Sequence, residues 1–225
     1  MFKRAVTTLT LTLATGIAVA QPGVRYEVTI TNITPGQSFT PQLVVTHPAS
    51  AILFRLGEPA SEPLEILAES GDTQPLTTAL EGVATDVTTI PGLLGPGEQV
   101  STEITGNPGR GYISVAAMMS PTNDSFVAMN RVKLPASGAV QQLVPAYDAG
   151  TEYNDQSCAN IPGPQCGGAG EGHSPGPNDD DEGFVHIGNG IHELGDEDNQ
   201  GNALIDPKSY DWRNSVARIT VRRMN

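Results

Sequence analysis

Positive charge is scarce in this chain. Its 225 residues carry 12 Lys and Arg against 25 Asp and Glu, a formal net charge of −13 at pH 7. So acidic a surface repels nucleic acid and anionic lipid and attracts cations, which removes nucleic-acid binding from the candidate functions. Cysteine is nearly absent, with only Cys158 and Cys166 in "SCANIPGPQCGG". A structural zinc site draws on four ligands, and no second Cys pair exists to complete one. In an oxidising compartment a local disulfide pinning that loop is the expectation. There is no internal repeat and no G-x-S-x-G elbow. Without strand–helix alternation to carry such an elbow, Ser–His–Asp catalysis is disfavoured.

Long apolar runs are missing beyond the N-terminus, so no transmembrane segment is expected in the mature protein. The beginning, "MFKRAVTTLTLTLATGIAVAQPG", has Lys3 and Arg4, an apolar stretch to Ile17, and small residues at Ala18 and Ala20. This is the layout of a secretory signal peptide over residues 1–20, with cleavage after Ala20. The mature protein is expected to be secreted, either periplasmic or extracellular. Residues 21–225 suffice for one domain with its own core and are too few for two. Losing Lys3 and Arg4 leaves 10 basic residues against 25 acids, a net charge of −15. Fourteen of those acids lie from Asp148 to Asp211, where Lys208 is the only Lys or Arg.

Strand signals dominate the rest. "VRYEVTITNI" alternates, with Val24, Tyr26, Val28 and Ile30 on one side and Arg25, Glu27, Thr29 and Thr31 on the other. Such alternation predicts a half-buried strand. "PQLVVTH" and "AILFRLG" read as two more strands joined by a turn at His47–Ser50. "SEPLEILAESGD" predicts a short helix, with Ser61 as cap, Pro63 in the first turn, Leu64, Leu67 and Ala68 as its apolar set, and Gly71 as its stop. "TQPLTTALEG" adds a poorer helical turn, the two reading as a connection across one end of a sheet structure. "EQVSTEIT", "GYISVAAMM", "SFVAMNRVKL" and "SVARITVRR" resume the strands, and "GYISVAAMM" is apolar enough to be buried on both faces. Many short strands, abundant Gly and Pro, and little helix predict an all-β fold, an antiparallel β-sandwich with short helical connections. Residues 151–214 form a long acidic Gly/Pro-rich loop region with one strand-like piece, "GFVHIG". A stretch of this kind is commonly functional, and its "GPNDDDEG" piece reads as a solvated acidic loop.

Calcium takes six to eight oxygen ligands, often from loops at one end of a sheet scaffold. Asp124 lies in a polar turn, "MMSPTNDSFVAMN", between two predicted strands, and Asn123 beside it reads as a turn residue. "YDAGTE" sets Asp148 and Glu152 four apart around Gly150, which allows a tight bend. On chemistry alone, acids in turns are ordinary, and both readings stand.

"GYISVAAMMSPTNDSFVAMN", "AYDAGTEYND", "GFVHIGNGIHELGD" and "DWRNSVARITV", in that order, resemble the spondin domain family, the N-terminal domain of F-spondin. The acidic loop and the "DWRN" ending are most similar to the single-domain bacterial secreted members. The resemblance runs from the Val24 strand to Val221. It implies a β-sandwich that binds Ca2+ through an acid of an "SPxxD" turn and two acids of a "DAGTD" loop. Carried onto this chain, the metal ligands are Asp124, Asp148 and Glu152. Glu152 departs from the family Asp by one methylene, which calcium's variable geometry tolerates with altered affinity. Ser125 stands where the animal pattern has an aromatic residue.

Other acids and histidines give partial matches. "GDEDNQGNALIDP" places Asp196, Asp198 and Gly201 in calcium-loop positions, but Gln200 and Pro207 break the pattern, leaving at most a weak extra site across Asp196 to Asp206. His186, His192 and Glu193 in "VHIGNGIHEL" suggest a metalloenzyme, yet zinc proteases require two His one helical turn apart with Glu directly after the first. Both His read more simply as residues whose rings meet loop carbonyls. Trp212, the only tryptophan, reads as a core plug, and Arg213 as the partner of an acid. Asn32 and Asn123 head glycosylation sequons. The favoured function is a non-catalytic calcium-binding module with a binding or adhesion role toward a protein or glycan partner. The alternatives are an exported metal-dependent enzyme using His186, His192 and Glu193, and a purely structural envelope protein.

Overall fold

The alternation in the first strand has a direct structural counterpart: Tyr26, Val28 and Ile30 are buried while Arg25 is exposed and its neighbours are half-buried. The computed structural model describes residues 23–168, 172–173, 181–191 and 195–225. The proposed cleavage point after Ala20 and the pair His192 and Glu193 lie outside them. In chain order the first strands are β1 (Val24–Asn32), β2 (Ser38–Phe39) and β3 (Gln42–His47), followed by helices α1 (Glu62–Ser70) and α2 (Gln74–Leu80). Then come β4 (Asp86–Ile90), β5 (Gln99–Gly106), β6 (Tyr112–Ser120), β7 (Ser125–Lys133), β8 (Ala139–Val144) and β9 (Ala146–Asp148). A single 3-10 turn at Pro164–Cys166, β10 (His186–Ile187), α3 (Pro207–Tyr210) and β11 (Ala217–Arg223) complete the described chain.

These strands form two antiparallel sheets. One has four strands in the order β5-β1-β11-β8, so that the first strand pairs with the last, Val28 opposite Val221. The other has seven, in the order β10-β9-β7-β6-β3-β4 with β2 beside β6. Val28, Ile30 and Ile219 of the small sheet pack against Val44, Val115, Met119 and Met129 of the large one. The opposite face of the large sheet, with Leu43, Val45, Ala116 and Ala128, is covered by Leu64, Leu67 and Ala68 of α1 and Leu76 of α2. The near-continuous apolar run of β6 follows from this double burial, since a strand with water on neither side has no reason to alternate.

The helix α1 forms as its sequence indicates. Pro63 sits in the first turn, and Gly71 ends the helix in the left-handed region at φ 75° with its N–H on the Leu67 carbonyl. A Cβ there would come within 2.7 Å of the Thr40 side chain, so glycine is required for space as well as for conformation.

Several expectations are corrected. "AILFRLG" forms no strand: Leu53 and Phe54 pack with the helices as an irregular plug and Ala51 is buried beside them in sequence, their apolar character serving packing rather than pairing. The helices lie on a sheet face rather than across one end, because β3 and β4, which they connect, are adjacent and the outer face needs cover. The strands β2, β4, β8 and β9 were not legible, and β9 covers the "AYD" that reads as loop. The acceptor of the first sequon, Asn32, is fully buried, its amide donating to the carbonyls of Gln37 and Leu94. Cys158 and Cys166 are disulfide-bonded with their Cα atoms 5.1 Å apart, and both belong to the inter-sheet core with Ile161, Ile191, Ile205 and Trp212. Described parts of the acidic region therefore contribute apolar residues to the core. No helix among the described residues is long and apolar enough to cross a membrane.

Candidate metal centre

The site lies where β7, β9 and β10 meet at one end of the larger sheet. Asp124 immediately precedes β7, Asp148 ends β9, and the register sets Ser125 opposite Asp148 and Asp148 opposite His186. Gly150 turns the chain at φ 67°, and its N–H donates to Asp148 Oδ1 at 2.8 Å. A Cβ at Gly150 would fall 2.3 Å from the Phe184 carbonyl oxygen, so the turn that returns Thr151 and Glu152 toward Asp124 depends on glycine.

Asp124, Asp148 and Glu152 are 0%, 3% and 1% exposed. Asp124 Oδ2 accepts from the backbone N–H groups of Thr151 at 2.8 Å and Glu152 at 3.2 Å. Its Oδ1 is buried, with no hydrogen-bond donor in reach among the described residues. Burial pushes the Asp124 carboxyl well above the usual carboxylate range, the charge of Asp148 adds to this, and the two N–H donors oppose it. Asp148 is likewise raised by burial, against the opposing effects of His186, the Gly150 N–H and Asn154. Asn154 reaches both Asp148 Oδ2 at 3.0 Å and Glu182 Oε1 at 2.9 Å. Asn123 does more than form a turn: its amide donates to the carbonyls of Glu152 and Tyr153, strapping the two loops together.

The tightest grouping at this end differs from the sequence expectation. Ligand atoms of Asp148, Glu182 and His186 all lie within 4.8 Å of one another, with His186 Nε2 3.4 Å from Asp148 Oδ1. Among the described residues, the other such grouping is Glu65, Glu69 and His173. Glu182 has one sequence signal, its four-residue spacing before His186, whereas Asn154 has none. His186 is the strand residue its context indicates, with Nδ1 3.0 Å from the Ile187 carbonyl oxygen.

The remaining candidates are placed as follows. Asp196 Oδ2 accepts from the Cys158 N–H, joining its loop to the disulfide, and Asp198 accepts from the N–H groups of Gln200 and Asn202 within its own turn. Trp212 is buried in the core, and Arg213 pairs with Asp211. A polar cleft of about 260 Å³ opens beside the site, bordered by Asn123, Asp148, Tyr153, Glu182 and Trp212.

An antiparallel two-sheet sandwich with buried carboxylates at one loop end defines the class: a β-sandwich module. Within that class the chain belongs to the spondin N-terminal domain family, whose model, described as Spondin_N, matches residues 30–159. The match contains Asp124, Asp148, Glu152 and Cys158 and stops before His186 and Trp212, a shorter span than the segment-by-segment resemblance. No curated protein matches the chain.

Proposed function

We propose that the protein is an exported, non-catalytic calcium-binding module of spondin type that engages a protein or glycan partner at the cell envelope or outside the cell. The observation that carries this reading is Asp124, a fully buried carboxylate with one oxygen held by backbone N–H groups and the other without a donor among the described residues. A buried anionic oxygen in that position is costly unless a cation meets it. Asp124, Asp148 and Glu152 would hold the ion, which supplies positive charge between two loops that otherwise bring carboxylates together. Calcium accepts an all-oxygen set of this kind, with carbonyls and water filling the remaining positions. The disulfide and family membership support export, the setting in which such a bond persists. Calorimetric titration of the mature protein should show one equivalent of calcium bound, abolished by Asp124→Ala. Undiminished binding in that variant would dismiss the site.

The grouping of His186 with Asp148 and Glu182 favours a second reading, an exported metal-dependent enzyme, because imidazole with carboxylates suits zinc or iron rather than calcium. Metal analysis of native protein separates the two: stoichiometric calcium supports the module, and zinc or iron the enzyme.

A further inference from the structure

The second grouping lies on a different part of the fold. Glu65 and Glu69 are four apart on α1, one helical turn, so their carboxylates stack on one face. Glu69 is 1% exposed and stands in the last turn of a helix that has no basic residue there. Three electrostatic costs fall together on that carboxylate: burial, a like charge one turn away, and the negative end of the helix dipole. His173, more than a hundred positions along, is brought onto this face by the acidic loop. Its Nδ1 lies 2.7 Å from Glu69 Oε2 and 3.9 Å from Glu65 Oε1. The 2.7 Å contact is a direct His173–Glu69 hydrogen bond, and a tetrahedral ion with bonds near 2.0–2.1 Å, whose ligand atoms stand about 3.4 Å apart, would open it by less than about 1 Å. Glu65 also borders an open cleft of about 280 Å³ that it shares with Gly150, Thr151, Asp181 and Gly183, so the grouping is reachable from solvent.

We propose that Glu65, Glu69 and His173 form a second metal site, for a zinc-class divalent ion, that fastens the acidic loop to α1. The donor set decides the class. One imidazole and two carboxylates suit zinc, cobalt or nickel, whereas calcium prefers oxygen alone. The site shares no ligand with Asp124, Asp148 or Glu152, although its cleft also meets Gly150 and Thr151 of the loop that returns toward Asp124.

The test uses untagged mature protein, stripped by chelator and re-equilibrated with excess calcium, and titrates cobalt(II) by its visible absorption and zinc by calorimetry. One saturable equivalent is expected, with affinity lowered at least roughly tenfold by His173→Ala, the loss that even an outer partner of a ligand commonly causes. Glu65→Gln should act in the same direction, and because Glu65 is partly exposed it serves if the loop variant is poorly folded by circular dichroism. Leu93→Ala, on the exposed surface and outside both groupings, should leave cobalt binding unchanged. Absence of a saturable equivalent would overturn the site. So would wild-type affinity in both His173→Ala and Glu65→Gln, or loss of binding in His186→Ala alone, which would move the ion to Asp148 and Glu182.

Discussion

At Asp124 the fold places a carboxylate away from water and directs two backbone N–H groups at one of its oxygens. This has a definite pH consequence. Burial, then the charge of Asp148, raises its folded-state pKa above the unfolded value, so the folded protein binds that proton more tightly than the unfolded chain. The resulting stability is present below the unfolded pKa and is lost as pH rises through the folded one. In chelator, therefore, wild type should gain stability relative to Asp124→Asn as pH is lowered from 7.5 to 5. Urea unfolding of the two proteins at both values measures this difference, and a gap that does not change with pH would show that Asp124 titrates as an ordinary surface acid. At this scale the sequence reading was partial. The resemblance to the spondin family, not the turn chemistry, pointed to Asp124, Asp148 and Glu152, and all three side chains are buried. The proximity of Glu182 to Asp148, and of His173 to Glu69, joins positions far apart in the chain. Local spacing carries no record of that proximity.

Among elements, the outer helical layer and the disulfide loop carry separable contributions. Leu67 is fully buried between α1 and the large sheet, so Leu67→Ala should destabilise the protein by about 2–5 kcal/mol through lost burial and a residual cavity. Leu93, 68% exposed, serves as the control, and Leu93→Ala should change the unfolding free energy by about 0.5 kcal/mol or less. Equal effects would contradict the helical layer's role as a second core. The Cys158–Cys166 bond closes a short loop whose cysteines and Ile161 enter the inter-sheet core. Replacing both cysteines with serine should cost about 2–3 kcal/mol, and limited proteolysis should then cut first within residues 157–173. Cleavage elsewhere at the same rate would mean the bond does not restrain this loop. Strands whose alternation is strong, β1 and β11, were legible, as was α1 with its proline start and glycine stop. The strand β8, "AVQQLV", is mostly exposed and lies at a sheet edge, so no apolar period marks it. "AILFRLG" misled for the opposite reason: apolar content signals burial without saying whether the backbone pairs.

For the whole molecule, the excess of acids sets the design problem. Like charges crowd residues 148–211, and the described parts of that region are held by a disulfide, by apolar residues entering the core, and by carboxylates accepting backbone N–H groups. Cations at the strand ends and on α1 would supply what these leave unbalanced. The sheet order closes the fold by pairing first strand with last, so stability gained at the loop end is felt by the sandwich as a unit. A ligand that binds the folded state at one hundred times its Kd adds about 2.7 kcal/mol, which for a domain of this size raises Tm by roughly 5–10 °C. The most direct measurement is therefore the melting of wild type and Asp124→Asn, each in excess calcium and in chelator. The account predicts that calcium raises Tm by that amount in wild type and has little effect on the variant, and that in chelator the variant is at least as stable as wild type because a buried charge has been removed. No calcium shift in wild type, or the same shift in both proteins, would contradict it.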